Sequence, residues 1–417
     1  MSGGAQVAPT EVVRPDDDPT RWRMLAVLSG AMVLSLSSWM TATAVAPQLA
    51  ARWTLSDMQV GLLTTAVQLG FVVGTALGAV LNLADTLPLR AYVAVCALLA
   101  ALANATLLVV PGYEAALFAR FLTGAFLAGV YPPGMKMVAT WFRSARGFAI
   151  GVFVGALTLG KALPYLLKAI GGASLEVVIG GASIAGVLAA VAVGATYRDG
   201  PFLFPSRPFE WSRVGRILRH RETMLATGGY LGHMWELYAV WTWVPVYLAA
   251  AAAGAASETA VDLVAFGAIA AGTLGCVWGG AAADRLGRHR VVNLAMAVSG
   301  TCCLLVGFLL GAPFWVVAVV TWVWGFFVVA DSAQFSAMVT EAAPPDAVGT
   351  ALMLQTSLGF LLTMVTIQAI PLLVEMVDWR WAFAALALGP AAGIGSIRRL
   401  RVVQGLHSAG RPSRGGS

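Results

Sequence analysis

Apolar residues run along the chain in stretches too long for the buried face of a soluble helix, separated by short polar connections. Twelve of them reach about 20 residues, the length needed to cross the hydrocarbon of a bilayer. They cover roughly 24–47, 57–82, 90–110, 113–138, 147–170, 174–197, 224–250, 259–283, 291–311, 314–339, 349–374 and 379–397. The pattern predicts an all-α membrane protein of 12 transmembrane helices. One connection is longer than the rest and carries Arg198, Arg207, Arg213, Arg216, Arg219 and Arg221. It divides the spans into two sets of six. The expected organisation is a tail at 1–22, a six-helix bundle at 23–197, a central loop at 198–223, a second bundle at 224–397 and a tail at 398–417. The first apolar run is too long for a signal-peptide core and reads as a retained span.

Composition removes the soluble alternative. Of 417 residues, 59% are hydrophobic and 11% charged, against about 25% charged in soluble domains. So few charges cannot cover a water-soluble globule of this length. Cys96, Cys276, Cys302 and Cys303 all lie in apolar runs, which argues against a disulfide framework or a CxxC metal site. The net charge of +6 is no nucleic-acid signal, because the basic residues gather in alternate loops. One side receives the arginines of both tails, Arg90, Arg143, Arg146, the central loop, Arg285, Arg288 and Arg290; the other receives Arg52, Lys168 and Arg380. Basic loops stay in the cytoplasm, so both termini and the central loop are expected there, in a bacterial inner membrane.

The two sets of spans repeat with an offset of 202 residues. Gly30 then meets Gly232, Trp39 meets Trp241, Gly70 meets Gly272, Gly78 meets Gly280 and Gly147 meets Gly349. Gly70, Gly74 and Gly78 lie four apart, as do Gly267, Ala271, Gly275 and Gly279. Such stripes let two helix backbones approach closely, for packing or for a pair that slides.

Two six-helix halves, a long central loop and Gly280-x-x-x-Asp284-Arg285-x-Gly287-Arg288 together resemble the major facilitator superfamily. Arg120-Phe-Leu-Thr-Gly124 is similar to that family's fourth-helix pattern. The first-half loop departs from it, with Asn82 where the family has Asp. The resemblance spans residues 22–400 and implies two pseudo-symmetric bundles, substrate between them near mid-membrane, and rocking that gives alternating access. It also implies a gate at Asp284, Arg285, Gly287 and Arg288, where Asp284 could accept bonds from an Arg or a helix N-terminus of the facing half.

Ionisable groups inside spans point most directly to function, since each costs about 2.5–3.5 kcal/mol at the bilayer centre. Lys161 and Glu236 fall near mid-depth in spans of opposite halves. Lys161 reads either as an anion-binding group or as a salt-bridge partner of Glu236 or Asp331. Arg120 reads mainly as structure, with substrate or proton coupling as further roles, and Lys136 as a snorkelling anchor. Span 7 carries Tyr230, His233, Trp235, Glu236, Tyr238 and Trp241. Glu236 is expected to carry a proton, His233 three residues earlier to tune it, and Asp331 to share in the coupling. Trp39, Tyr230, Trp235, Tyr238 and Gln355 complete the expected substrate-binding set.

These features point to a monomeric secondary transporter of a small organic or inorganic anion, driven by protons or by exchange, with no cofactor and no nucleic-acid partner. GxxxxGK[ST], HExxH and GxSxG are all missing from the sequence, which argues against ATP coupling and against a membrane enzyme. Spans 2 and 8 lack the arginines of the family's nitrate porters. Drug/proton efflux is the alternative, because span 7 would suit aromatic or cationic compounds. A non-transporting sensor is the least favoured.

Overall fold

The computed structural model describes residues 18–143, 145–171, 174–202 and 210–409. Most of the expected N-terminal tail, part of the central loop with Arg207, and the last residues of the C-terminal tail lie outside the described residues. Among those described, every regular element is helical. The first ten helices are α1 (Thr20–Leu36), α2 (Thr41–Ala44), α3 (Ala46–Trp53), α4 (Asp57–Val80), α5 (Leu83–Thr86), α6 (Leu89–Ala105), α7 (Tyr113–Leu127), α8 (Tyr131–Ala139), α9 (Arg146–Gly171) and α10 (Gly181–Thr196). The chain continues through α11 (Trp211–Arg219), α12 (Arg221–Ala252), α13 (Glu258–Leu286), α14 (Arg288–Leu305), α15 (Phe314–Ala330), α16 (Ser332–Ala342), α17 (Val348–Ala382) and α18 (Leu388–Ala409).

Nine helical stretches among the described residues are long and apolar enough to cross a membrane. The pattern predicts more, and the physical reasons are local. The first predicted span is broken: α1 stops at Leu36, and the chain turns through Ser37–Met40 before α2. The seventh, inside α12, is diluted by His233, Glu236 and its Tyr and Trp residues. The last two are joined in one apolar stretch, 348–405, although Asp378 takes φ 60° within it. Two further predicted spans are interrupted, at Ala128–Val130 between α7 and α8 and at Asp331 between α15 and α16.

Helix starts follow from capping. Ser56 and Gln59 form a reciprocal capping box on α4, and Ser257 accepts from the backbone N–H of Ala260 on α13. Among the helices before residue 200, α4 packs on α7, α1 on α9 and α10, and α6 on α10; among the later ones, α12 packs on α17 and α18, and α13 on α15. The two sets meet chiefly through α9 on α13 and α4 on α17.

The small-residue stripes serve packing within each set. A Cβ on Gly70 would lie 1.9 Å from the Phe121 carbonyl, and one on Gly279 1.9 Å from the Ala330 carbonyl. Gly325 is the tightest, at 1.6 Å from the Ala268 carbonyl. Gly325→Ala must push α15 off α13 and is expected to destabilise the protein by about 1–3 kcal/mol, in the range of overpacked cores. Gly30→Ala, where nothing lies within 4 Å, is expected to be neutral. Thermal melting of the two detergent-purified variants checks both.

Candidate functional site

The contact of α9 with α13 depends on glycines in α9. A Cβ on Gly155 would sit 3.2 Å from the Thr273 carbonyl, and Thr273 Oγ1 donates to the Gly155 carbonyl at 3.1 Å. On the neighbouring face, a Cβ on Gly160 would lie 2.5 Å from the Val33 carbonyl of α1. Wedged between α1 and α13, α9 carries Lys161 into the middle of the molecule, where its side chain is 1% exposed.

Aromatic rings surround that ammonium. Lys161 Nζ lies 4.0 Å from the ring centroid of Trp39, 4.4 Å from that of Tyr238 and 4.9 Å from that of Trp241, and it donates to the Tyr238 hydroxyl. Trp39 comes from the break after α1, and the other two from α12. Trp39 and Trp241 are the tryptophans matched by the 202-residue repeat. Each desolvated cation–π contact is worth up to about 2 kcal/mol. Three of them can offset the cost of about 2.5–3.5 kcal/mol for a charge at mid-membrane. The cage therefore explains how Lys161 stays buried although no carboxylate pairs with it among the described residues.

The same cluster holds unused donors. The indole N–H groups of Trp39 and Trp241 are buried and have no acceptor among the described residues. A buried donor left unpaired costs about 1–3 kcal/mol. One ammonium and two unpartnered indole N–H groups are thus buried on the elements that meet at Lys161. Phe71 and Phe360 close the cluster, their centroids 4.7 Å apart and 5.1 and 5.7 Å from that of Trp39. Neither phenylalanine stood out in the sequence, because nothing separates a lining Phe from any other apolar residue of a span. Gln355 is also buried with both amide atoms unpartnered.

Arg120 does different work. Its Nη1 donates to the Ser38 carbonyl at 2.8 Å, and to Thr41 Oγ1 and Asn104 Oδ1 at 3.1 Å each; its Nη2 donates to the Trp39 carbonyl. These carbonyls belong to the break after α1, where the helix no longer supplies their partners. Asn104 continues the network by donating to Ser183 Oγ at 2.9 Å and to the Ile179 carbonyl at 3.3 Å. Arg120 thus fixes the turn that presents Trp39 to Lys161.

The acidic candidates sit apart from this cluster. Glu236, 1% exposed, accepts from Ser299 Oγ at 2.9 Å, Cys303 Sγ at 3.2 Å and Trp324 Nε1 at 2.5 Å. Its partners among the described residues come from α14 and α15, and the expected bridge to Lys161 is not formed. His233 does not turn to Glu236 either. Its Nδ1 lies 2.9 Å from Asp331 Oδ1 and its Nε2 2.9 Å from Ser332 Oγ, with the His233 and Asp331 side chains each 2% exposed. Tyr230 packs beside this pair, 6.0 Å between ring centroids from both His233 and Phe335. Trp235 faces α18 and its neighbours, donating to the Ala385 carbonyl at 3.2 Å, away from Lys161. No group of His, Cys, Asp and Glu suited to a metal occurs among the described residues.

The α13–α14 loop is organised by its backbone and by Arg288. Gly287 adopts φ 85°, a left-handed value that favours glycine. Arg288 donates to Glu341 Oε1 at 3.0 Å and to Gln334 Oε1 at 2.9 Å, tying the loop to α16. Asp284 and Arg285 are exposed, and Asp284 makes no ion pair among the described residues, so the expected latch is not closed in this conformation. At the corresponding place in the first half, Asn82 takes φ 52° just past the end of α4. Asn suits that left-handed position, which it enters more readily than most residues. Lys136, expected to snorkel as an anchor, instead pairs with Asp85 and donates to the Ala84 carbonyl at 3.0 Å. Arg216 of α11 pairs with Asp346, and that hydrogen bond holds the Asp346 carboxyl below its ordinary value.

Compared with protein-family models, residues 27–273 match the one described as Major Facilitator Superfamily. None of the curated proteins compared with the chain matches it.

Proposed function

The chain belongs to the major facilitator superfamily, which makes it a multi-pass membrane protein and a secondary transporter of a solute; from this premise we propose that the solute is a small anion, bound by Lys161 between two six-span halves. The observation that carries the reading is the pairing of a buried ammonium, lacking any carboxylate among the described residues, with two buried indole donors lacking acceptors. An anion entering this cluster would satisfy all three. The halves are taken as six spans each, twelve in all, with the interrupted α1–α3 and the polar α12 counted as spans. Termini and central loop lie in the cytoplasm of a bacterium, on the strength of the basic loops. The chain acts as a monomer without cofactor.

Alternating access needs contacts between the halves that can break. Lys168 Nζ of α9 meets Asp262 Oδ1 of α13 at 2.8 Å, and the Gln368 side-chain amide of α17 lies 3.1 Å from the Thr65 hydroxyl of α4. In the proposed orientation both contacts are on the outer side and act as an outer latch. The exposed Asp284, with Arg285 and Arg288, would engage on the inner side in the opposite conformation. Asp262→Asn is expected to favour outward opening. Labelling of a single cysteine at position 65 by an impermeant maleimide should then speed up at least about twofold, for a shift of about 0.4 kcal/mol in the opening equilibrium; an unchanged rate counts against the latch.

Glu236, with three neutral donors and no cation beside it among the described residues, supports proton coupling, and we assign the His233–Asp331 pair as a second proton site. Glu236→Gln keeps the shape and most of the hydrogen bonding. It is expected to retain exchange in proteoliposomes and to lose accumulation driven by a pH gradient. Accumulation at the unsubstituted level would remove Glu236 from the coupling. For the substrate itself, stabilisation of the purified protein by carboxylates supports the anion reading, and stabilisation by cationic dyes alone favours drug efflux.

A further inference from the structure

We propose that the transported anion is a planar aromatic monocarboxylate, its carboxylate held by Lys161 and the two indole N–H groups and its ring stacked among Trp39, Phe71, Tyr238 and Phe360; this rests on the reading of Lys161 as the anion site.

Charge sets the first limit. Arg120 directs its guanidinium to backbone carbonyls, Thr41 and Asn104. His233 lies against Asp331, and Lys168 against Asp262. Among the described residues Lys161 is thus the one buried cation of the central cluster without a carboxylate or a set of carbonyls around it. One uncompensated positive charge matches one negative charge. A dianion would bring a second, unpaired charge into the same dry interior, and burying an unpaired charge costs several kcal/mol in other proteins.

The walls set the second limit. The rings around Lys161 lie against one another. Tyr238 is 5.1 Å by centroid from Trp241 and 5.3 Å from Phe360, while Phe71 and Phe360 are 4.7 Å apart. These spacings fall in the range of favourable aromatic pairs. Rings are contributed from both sides of the α4–α17 contact, Phe71 from one and Phe360 from the other. A ligand that parts them loses ring–ring contacts, and only a ligand with a ring of its own restores contacts of the same kind. A short aliphatic acid such as acetate fills the charge requirement but leaves the faces of Phe71 and Phe360 uncovered.

The test is calorimetric titration of the detergent-purified full-length protein at pH 7.5 with benzoate, 2-naphthoate, acetate, phthalate and benzyltrimethylammonium. Benzoate or 2-naphthoate is expected to bind at least about tenfold more tightly than acetate or phthalate. That binding should be lost in Lys161→Met and kept in Lys161→Arg. In Phe360→Leu it should weaken by about tenfold, with acetate unaffected. Melting curves show whether each variant is folded, and Trp241→Phe, which removes one N–H and keeps a ring, stands in for any that is not, with weaker binding of both acids expected. Acetate or phthalate binding as tightly as the aromatic acids, still dependent on Lys161, overturns the aromatic assignment and leaves the anion site standing. Binding of benzyltrimethylammonium alone, or anion binding indifferent to Lys161, overturns both.

Discussion

Lys161→Met is expected to abolish anion transport while leaving the protein folded. Truncating one partner of a buried charge pair costs about 2–5 kcal/mol. Apparent affinity for the anion should therefore fall by about 30-fold or more, and uptake in proteoliposomes to background. Stability should move little. The variant gives up three cation–π contacts at centroid distances of 4.0, 4.4 and 4.9 Å, but it also removes a charge that costs about 2.5–3.5 kcal/mol at mid-membrane. The two effects nearly cancel. A melting temperature close to that of the unsubstituted protein, together with lost uptake, separates a functional lysine from a structural one. Uptake near the original rate places the anion elsewhere.

Arg120→Leu is expected to do the reverse and remove the folded protein. The guanidinium serves the Ser38 and Trp39 carbonyls, Thr41 and Asn104 at once, all of them buried. Without it the Trp39 carbonyl loses its side-chain donor, and the Ser38 carbonyl and Asn104 Oδ1 are left to share the single Thr41 hydroxyl; each acceptor left unsatisfied costs about 1–3 kcal/mol. The variant should fail to give a monodisperse species by gel filtration. Arg120→Lys, which can reach some of these acceptors but lacks the fork, should recover part of the yield with a lowered melting temperature. A stable, monodisperse Arg120→Leu with impaired uptake would mean that the arginine acts on substrate directly. Two cations buried in one half thus have opposite signatures, because one is held by oxygen acceptors and the other by rings.

Much of this is legible in the sequence. The apolar runs and the motif around Asp284 led to the family, since spans must be long and apolar whatever they carry. Lys161 and Glu236 stood out because charge in such runs is costly. The 202-residue repeat paired Trp39 with Trp241, and the structure brings these two to the same ammonium. The contents of each cluster were less legible. In lipid a helix is apolar all round, so periodicity does not tell the face toward the partner half from the face toward the bilayer. For that reason Trp235 could not be separated from Tyr238, although one faces Ala385 and the other Lys161. His233 and Glu236 share a helix face by spacing, yet neighbouring helices divide them between Asp331 on one side and Ser299, Cys303 and Trp324 on the other. The break after α1 was hidden as well, because Ser37 and Ser38 within an apolar run do not by themselves stop a helix. It is Arg120, far along the chain, that satisfies the carbonyls the break exposes.

The central claim is that a single ammonium at position 161 holds the transported anion. The most direct test is calorimetric binding of benzoate to the purified protein and to its Lys161→Arg and Lys161→Met forms. The account expects binding to the first two and none to the third. Undiminished binding to a folded Lys161→Met would contradict it.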